Sequence, residues 1–434
     1  MNMYDIIYKK REGHALSKEE IEFFIKGYTD GNIPDYQASA LLMAIFFKKL
    51  NKNETIELTR AMMNTGDVVD LSAIQGIKVD KHSTGGVGDK TTLIAGSLAA
   101  SCGVPVAKMS GRGLGFTGGT IDKMESIPGL KTTLKPEEFI SLVNNVGLSV
   151  IGQTAEIAAA DKKLYALRDV TATVDDISLI TSSIMSKKLA SGSDAIVLDV
   201  KFGNGAFMES FEDACRLGEL MVGIGKAEGK NTVALITDMN QPLGYAVGNS
   251  LEVIEVIETL KGKGPEDITD LSLTLAAYMI FLGQKAVSPE EGFKKAKQAL
   301  DDGSALNKLA EFIEGQGGDP EVINRYALFP QPACISKIYS QEDGFIGSIE
   351  AKIIGLASQH SGAGRATKDD NIDLSAGILL NKKVGETIQA GELLATVYGN
   401  DHRRVDKAAL EAARAFHVQS SKPQVTNLVK KVIQ

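Results

Sequence analysis

The sequence predicts an α/β protein with a helical N-terminal domain and an α+β C-terminal domain, in which helices cover a mostly parallel central sheet. Three observations carry this prediction. Residues up to about Asp67 show helical patterns only, the middle of the chain alternates short apolar runs with helical segments, and the chain beyond Gln331 changes to short β-rich runs. Strands that alternate with helices are typical of parallel sheets with helices packed on their faces.

Length and composition indicate more than one core and a protein without nucleic-acid or membrane partners. The 434 residues, 43% of them hydrophobic, are enough for about two to four structural units. The net charge of −8 without a long basic run excludes a nucleic-acid footprint but allows a local anion pocket. No apolar signal segment or membrane-length run occurs, and Cys102, Cys215 and Cys334 form no CxxC pair, so a cytoplasmic protein with buried structural cysteines is expected.

The first part of the chain predicts a helical domain over residues 1–70. Ser17 and Glu20 form a capping box that starts one amphipathic helix, and a second helix is expected after Pro34. A later helical stretch, residues 160–190, interrupts the alternation of strands and helices and is expected to pack on this domain.

The middle and the end of the chain predict the other two domains. Apolar runs predict strands of the central sheet at residues 77–79, 104–107, 195–200 and 233–236. Helices are expected at residues 90–101 and from 250 to about 315. The predicted domains are an α/β phosphate-binding domain of residues 74–158 and 191–330, and an α+β domain of residues 331–434.

Two glycine-rich turns that follow apolar runs are the most informative segments. Residues 81–89 have the sequence KHSTGGVGD, and residues 108–120 have the sequence KMSGRGLGFTGGT. Both offer lysines, hydroxyl groups and open backbone amides, which are donors suited to phosphate. Ligands of parallel sheets collect at the carboxyl ends of the strands. We therefore expect the two turns to be two walls of one phosphate site, although either turn alone could be a plain loop.

The two turns are partly similar to two nucleotide-binding motifs but match neither of them well. The first turn lacks the glycine that precedes the lysine of a Walker A loop, because Asp89 stands there, and this disfavours a nucleoside triphosphatase. The second turn contains a formal GxGxxG from Gly113 to Gly118, with Glu137 or Glu138 near the distance expected for ribose binding. That match is weak, and the flanking lysine, arginine and hydroxyl groups are better suited to a free inorganic anion.

His82 and a helix end supply further candidates. His82 lies between a lysine and a serine at a predicted strand end, where a proton donor could face a substrate, although most lone histidines are structural. Ser183 and Lys187 share one helix face while Lys188 points elsewhere. The plain alternative is a solvated lysine pair at a helix C-terminus. Arg168 would by itself pass for a surface residue.

With these segments together, the chain closely resembles the pyrimidine-nucleoside phosphorylases, relatives of thymidine phosphorylase. The resemblance covers essentially the whole chain and is carried by five segments, residues 81–89, 110–125, 161–171, 182–188 and 362–368.

The resemblance implies reversible phosphorolysis of uridine, thymidine or deoxyuridine to the free base and ribose 1-phosphate or 2-deoxyribose 1-phosphate, by a cytoplasmic homodimer whose cleft closes. The residues expected to contact phosphate are Lys81, His82, Ser83, Thr92, Lys108, Met109, Ser110 and Thr120. Arg168, Ser183 and Lys187 are expected to bind the pyrimidine, with His82 near its O2 carbonyl. The catalytic residues are expected to be Arg168 and Lys187, which would stabilise charge on the leaving base, and a protonated His82, which would donate to it.

The resemblance also implies a potassium ion and no organic cofactor. The metal positions match Gly88, Lys90, Leu243, Ala246 and Glu255, and Lys90 stands where relatives often have threonine. An ammonium beside a cation is unfavourable unless the lysine side chain points away. Phe116 replaces a histidine that is usual in the family, and Phe202 and Asn204 replace smaller residues.

Three other functions remain open from the residues. A phosphoribosyltransferase of the anthranilate type shares the fold, but it would need paired carboxylates for magnesium pyrophosphate. An NAD-dependent oxidoreductase would use residues 113–118. A non-catalytic nucleoside-binding regulator would keep the pocket without His82 and the phosphate lysines. The C-terminal glycine pattern is similar to biotinyl or lipoyl carriers, but without their lysine motif a structural lid or dimer-supporting domain is expected.

Overall fold

The computed structural model describes residues 1–113, 115–153, 157–365, 367 and 370–434. The chain begins with four helices: α1 (Met3–Arg11), α2 (Lys18–Thr29), α3 (Asp35–Lys48) and α4 (Lys52–Met63). The expected capping box is present at α2, where Ser17 Oγ accepts from Glu20 N at 3.3 Å and Ser17 N donates to the Glu20 carboxylate at 2.7 Å.

The first half of the central region carries three strands. Its elements are β1 (Val79–Ser83), α5 (Thr91–Ser101), β2 (Val106–Ser110), α6 (Thr120–Met124), α7 (Pro136–Val146) and β3 (Leu148–Gly152). The first two strands lie further along the chain than predicted, because Val79 N bonds to Pro105 O at 3.1 Å and the pairing starts only there. Lys81, His82 and Ser83 are therefore strand residues, whereas the sequence placed them in the turn.

The second half of the central region is mainly helical. Its elements are α8 (Ala159–Val170), α9 (Ile177–Ala190), β4 (Ala195–Phe202), α10 (Phe211–Ala227), β5 (Asn231–Asp238), β6 (Ala246–Gly248), α11 (Asn249–Leu260), α12 (Glu266–Leu282), α13 (Pro289–Asp301) and α14 (Ser304–Gly315). The predicted strands at 195–200 and 233–236 lie within β4 and β5.

The C-terminal region mixes short strands with two helices. Its elements are β7 (Cys334–Tyr339), β8 (Gly344–Ile349), α15 (Ala351–Ser358), β9 (Gly377–Leu380), β10 (Thr387–Ile388), β11 (Leu393–Gly399), α16 (His402–Ala413), β12 (Phe416–Gln419) and β13 (Val429–Ile433). A π-helical turn at Gln359–Ala363 follows α15.

The central sheet is mostly parallel, which confirms the predicted fold class. Its strand order is β1-β4-β5-β13, with β1, β4 and β5 parallel and β13 antiparallel at the edge. A separate parallel pair joins β2 to β3, a strand that the sequence analysis did not anticipate. The carboxyl ends of β1 and β2 carry the two glycine-rich turns.

Two strands connect the central and C-terminal regions. β13, the last strand of the chain, returns to pair with β5, and β6 leaves the central region to pair with β9 in the sheet β6-β9-β11-β7. Asn204 adds a side-chain link, because its Oδ1 accepts from Ala351 N at 2.8 Å at the start of α15. The α/β and C-terminal regions therefore share backbone pairing and a helix cap.

The N-terminal helices share one apolar core with the start of α8 and α9. Ala160, Leu164 and Leu179 are buried in the cluster that α1 to α4 form. One buried ion pair ties this core together, since Lys10 Nζ lies 2.8 Å from Glu54 Oε1 and both side chains are almost fully buried. No helix in the described ranges is long and apolar enough to cross a bilayer. Cys215 and Cys334 are buried and Cys102 is partly buried, all with free thiols.

Replacing Lys10 with methionine is expected to lower the free energy of unfolding by about 3–5 kcal/mol, because Glu54 is left charged and buried without its partner. Lys9→Met, one position earlier on α1, removes the more exposed ion pair with Glu20 and should cost about 1 kcal/mol or less. Urea unfolding followed by far-UV circular dichroism would measure both. Equal losses from the two variants would contradict the buried-pair argument.

Candidate active site

The two glycine-rich turns lie against each other. A Cβ placed on Gly85 of the first turn would lie 3.9 Å from the Thr117 hydroxyl of the second. Lys123, in the helix α6 that follows the second turn, donates to the backbone carbonyl of Asp89 at 2.6 Å. The two turns are therefore in contact, which the expectation of one shared phosphate site requires.

The glycines of the second turn are required by the turn itself. A Cβ on Gly113 would lie 2.5 Å from Gly119 N, and one on Gly119 would lie 2.0 Å from Gly113 N, so side chains are excluded at both positions. Arg112 is not available to bind an anion between the turns, since its guanidinium pairs with Glu125 at 2.6 Å and with Asp122 at 3.1 Å. Gly113, the first glycine of the formal GxGxxG pattern, is thus explained by close backbone packing within the turn.

One buried carboxylate, Asp80 on β1, holds two lysines. Lys108 of β2 lies 3.1 Å from Asp80 Oδ1, and Lys188 of α9 lies 2.8 Å from Asp80 Oδ2. Burial lowers the pKa of Lys108 to about 7, although the Asp80 charge acts in the opposite direction. Burial alone would raise the pKa of Asp80, but the two lysines bring it below its usual value. Lys108 is therefore an ammonium that an anion can stabilise further.

A second buried charge cluster lies beneath the first turn. Lys201 Nζ is 2.9 Å from the Asp199 carboxylate and 4.0 Å from Asp89. Lys81 Nζ is 3.7 Å from Asp199 and donates to the Thr91 hydroxyl at 2.6 Å. Burial opposes ionisation of Asp89, but Lys201 and Lys81 hold its pKa well below the usual range. Despite its ion pair, Lys201 Nζ makes no hydrogen bond of good geometry to any described residue.

The remaining predicted phosphate residues lie at strand ends and helix starts around the two turns. Ser83 ends β1, and its hydroxyl accepts from Gly85 N at 3.1 Å. Ser110 ends β2, Thr120 begins α6 and Thr92 lies in the first turn of α5. Met109 is buried and offers its backbone carbonyl to Lys188 at 3.0 Å, so its side chain is a packing group.

His82 lies among four lysines and is neutral. Burial is the largest cause that lowers its pKa well below 6.5, and the charges of Lys188, Lys108, Lys81 and Lys187 lower it further. In this structure burial and the lysine charges oppose the protonation that was expected for His82. A neutral imidazole still carries one N–H, so donation of a hydrogen bond remains chemically available.

Arg168 is fixed in place by backbone carbonyls and is not a surface residue. Its guanidinium is buried and donates to Thr173 O and Leu179 O, each at 3.2 Å, and to Val174 O at 2.5 Å. Burial lowers its pKa from the ordinary value.

Lys187 and Lys188, neighbours at the end of α9, point to opposite sides. Lys187 bonds to Asp161 at 2.6 Å and to the Ser183 hydroxyl at 3.4 Å, towards the helical domain. Lys188 bonds to Asp80 in the α/β domain and is buried. The shared face of Ser183 and Lys187 is as predicted, whereas the alternative of a solvated lysine pair is wrong. The end of α9 thus brings one cation to each side of the site.

Comparison with known proteins identifies the family. Residues 4–66 match the helical bundle domain and residues 75–306 the a/b domain of a glycosyl transferase family, and residues 345–419 match the pyrimidine nucleoside phosphorylase C-terminal domain. The chain is 54% identical over 429 residues to the pyrimidine-nucleoside phosphorylase of Geobacillus stearothermophilus, covering 99% of both chains. The chain belongs to the pyrimidine-nucleoside phosphorylase family.

Two further comparisons agree with this assignment. The pyrimidine-nucleoside phosphorylase of Staphylococcus haemolyticus is 56% identical over all of both chains, and that of Bacillus subtilis is 56% identical over 92% of each. A solved structure of anthranilate phosphoribosyltransferase from Thermus thermophilus covers 71% of this chain and 98% of its own length, with a TM-score of 0.58 and 19% identity. That likeness concerns the fold alone.

The potassium position implied for pyrimidine-nucleoside phosphorylases is filled by a lysine. Lys90 Nζ donates to Leu243 O at 3.1 Å, to Ala246 O at 2.8 Å and to the Glu255 carboxylate. These are three of the predicted metal ligands, and Gly88 packs against the same loop. Two unit charges about 4 Å apart repel by about 4 kcal/mol at an effective dielectric constant of about 20. The residues present therefore do not fit a potassium ion.

The other departures from the family pattern are packing and capping residues. Phe116 packs against the C-terminal core, with its ring centre 6.2 Å from that of Phe207. Phe202 meets Phe211 edge to face at 5.4 Å. Asn204 caps the start of α15, as described above.

Sequence reasoning missed five charged residues of the site: Asp80, Lys123, Asp161, Lys188 and Lys201. One signal was available. Asp199 and Lys201 stand inside the otherwise apolar strand β4, where a charge must be paired when buried. Most of the partners could not be identified, because ion pairs such as Lys188–Asp80 and Lys187–Asp161 join residues far apart in the sequence.

The pKa of Lys108 predicts pH-dependent anion binding. A lowered lysine pKa means that the charge is lost as the pH rises through about 7, and loss of the charge weakens anion binding. Sulfate remains a dianion in this range, so its dissociation constant should rise roughly tenfold between pH about 6 and about 8. Isothermal titration calorimetry would measure it. In Lys108→Arg, which stays charged, the constant should be nearly flat, and a flat wild-type profile would contradict the assignment.

Proposed function

We propose that this enzyme is a pentosyltransferase that catalyses the reversible phosphorolysis of pyrimidine nucleosides, uridine, thymidine and deoxyuridine among them. The observation that carries the proposal is the full-length identity of 54–56% to proteins named pyrimidine-nucleoside phosphorylase. The products would be the free base and α-D-ribose 1-phosphate or 2-deoxyribose 1-phosphate.

In the proposed reaction, a phosphate oxygen forms a bond to C1′ of the sugar while the bond from C1′ to the base nitrogen breaks. The bonding electrons go to the base, which leaves with negative charge and then takes up a proton. Negative charge therefore develops on the base side, and positive charge develops on the sugar between the base and the phosphate. Such a reaction needs cations at both ends of the substrate pair.

The phosphate half of the proposed site lies at the carboxyl ends of β1 and β2. Lys81 and Lys108 supply charge, and Ser83, Thr92, Ser110 and Thr120 supply hydroxyl groups, with His82 alongside. We add Lys201 to this set, because its buried ammonium lies under the first turn and lacks a well-aligned hydrogen bond to the described residues. A phosphate dianion would supply the missing acceptor.

The base half of the proposed site is carried by α8 and α9. Lys187, held by Asp161 at 2.6 Å, and Arg168, held by backbone carbonyls, would stabilise the charge that develops on the pyrimidine. Ser183 would donate a hydrogen bond to the base. The lysines of both half-sites lower the pKa of His82, so its ring lies near both halves. Neutral His82 would donate its N–H to the O2 carbonyl of the base.

Closure of the two halves is part of the proposal. The helical domain and the α/β domain each supply one half-site, so a nucleoside and phosphate react only when the two halves come together and exclude water. We propose a cytoplasmic homodimer, in agreement with the expectation from the family resemblance.

The phosphoribosyltransferase alternative is less supported. It would need carboxylates free to hold a magnesium-bound pyrophosphate. In the described part of the chain, Asp80, Asp89 and Asp199 each lie within 4.0 Å of a lysine ammonium. Asp122, which accepts from Gly113 N of the second turn at 2.7 Å, is paired with Arg112 and Arg365.

Phosphate-dependent base release tests the proposal directly. Uridine, thymidine or deoxyuridine is mixed with the enzyme with and without inorganic phosphate, and base release is followed by absorbance. Release that requires phosphate is expected for at least one nucleoside. No phosphate-dependent release from any of the three would refute the proposed activity.

Arg168→Ala or Lys187→Ala is expected to lower turnover by about a hundredfold or more, since each removes a cation placed to stabilise the leaving base. Far-UV circular dichroism should show an intact fold for both. Lys162→Ala, on the exposed face of the same helix as Arg168, is the control and should keep near wild-type turnover. Near-normal turnover in both test variants would refute the assignment of the base half-site.

A further inference from the structure

The side chain of Lys90 ends in a closed cage of oxygen atoms. The cage consists of Leu243 O at 3.1 Å, Ala246 O at 2.8 Å and the Glu255 carboxylate. An ammonium has three N–H donors, and here each has one acceptor. The Lys90 side chain is completely buried and Glu255 is nearly so. The cage therefore holds a desolvated unit charge that is balanced by one carboxylate.

The cage is built tightly and leaves no space for a second cation. Gly88 has φ +75° and a Cβ there would lie 2.5 Å from Leu243 O, while Gly244 has φ +68° and a Cβ there would lie 2.3 Å from Glu255. Tyr245 N and Ala246 N donate to the Glu255 carboxylate at 2.8 and 3.2 Å, which fixes it towards Lys90.

We infer that the ammonium of Lys90 is a built-in monovalent cation, which takes the place of a potassium ion and makes the stability and turnover of this chain independent of potassium. The donor set is the chemical reason: backbone carbonyls and one carboxylate suit a large monovalent cation, and the two carbonyl oxygens lie 3.1 and 2.8 Å from the ammonium. A covalently attached cation is present at every salt concentration, whereas a bound ion dissociates.

The position of the cage explains what this cation stabilises. Lys90 follows the first glycine-rich turn directly and precedes α5. Leu243 lies in the loop that leads into β6, and Ala246 is the first residue of β6, the strand that pairs with β9 of the C-terminal sheet. The ammonium therefore connects the first glycine-rich turn to the C-terminal region.

A second lysine clamps the same loop from the other side. Lys383 Nζ donates to Gly244 O at 3.0 Å and to Pro242 O, and lies 2.8 Å from Asp267. Burial lowers the pKa of Lys383, and the neighbouring charge of Lys90 contributes in the same direction. Four carbonyls of residues 242–246 thus accept from two ammonium groups of the protein, while Tyr245 O accepts from Leu380 N.

The test compares potassium chloride with tetramethylammonium chloride at equal ionic strength, since tetramethylammonium is too large for the cage. For the wild-type chain, the melting temperature and the rate of phosphate-dependent base release should each be the same in both salts, within about a twofold change for the rate. A wild-type chain whose melting temperature rises with potassium would overturn the inference. This comparison needs no variant.

Lys90→Thr empties the cage and leaves its oxygen atoms in place. We expect its melting temperature to be low in tetramethylammonium and to rise with potassium to a plateau, because an ion that binds only the folded state stabilises it. Lys90→Met is the matched control, since its side chain fills the same space without charge. It should melt early in both salts.

The outcomes separate this inference from the proposed function. The inference would be overturned if the melting temperature of Lys90→Thr did not change with potassium. It would also be overturned if the melting temperature of Lys90→Met rose with potassium as that of Lys90→Thr is expected to. Melting temperatures do not depend on the reaction, whereas the turnover comparison rests on the proposed function. Melting data as expected with no base release in either salt would support the built-in cation and reject the phosphorolysis.

Discussion

The bond of Asp80 to both Lys108 and Lys188 is the interaction on which the site depends. Its carboxylate is completely buried, and it joins β1 to β2 and to the end of α9. Without this charge two buried ammonium groups would face each other without compensation, which a protein interior does not tolerate. Asp80 therefore allows positive charge from two elements, β2 and α9, to converge where the half-sites meet.

The positive charges that converge at the site also affect His82, which lies among the lysines. Burial and four positive charges lower the pKa of His82 well below its ordinary value. In the proposed reaction the imidazole would act as a neutral donor or acceptor, and Lys187 and Arg168 would stabilise the developing negative charge. Desolvated ion pairs contribute little net stability, so the charge network is better explained by anion binding than by folding.

The same use of lysine recurs away from the half-sites. Lys90 and Lys383 act on backbone carbonyls of a single loop, and each is balanced by one carboxylate. A lysine ammonium can satisfy three carbonyl or carboxylate oxygens while it remains attached to the chain. Here the two lysines connect the first glycine-rich turn, the loop before β6 and the C-terminal sheet.

The sequence by itself determined the fold class, the two glycine-rich turns and the family, because local patterns and long motifs carry that information. It also determined that Ser183 and Lys187 share a helix face, which follows from helical spacing. Only the tertiary structure decided that β13 completes the central sheet, that Asp80 pairs two lysines, that His82 is neutral and that Lys90 fills a cation cage. Each of these depends on partners far apart in the sequence or on burial, and neither spacing nor composition specifies which charges meet in a low-dielectric interior.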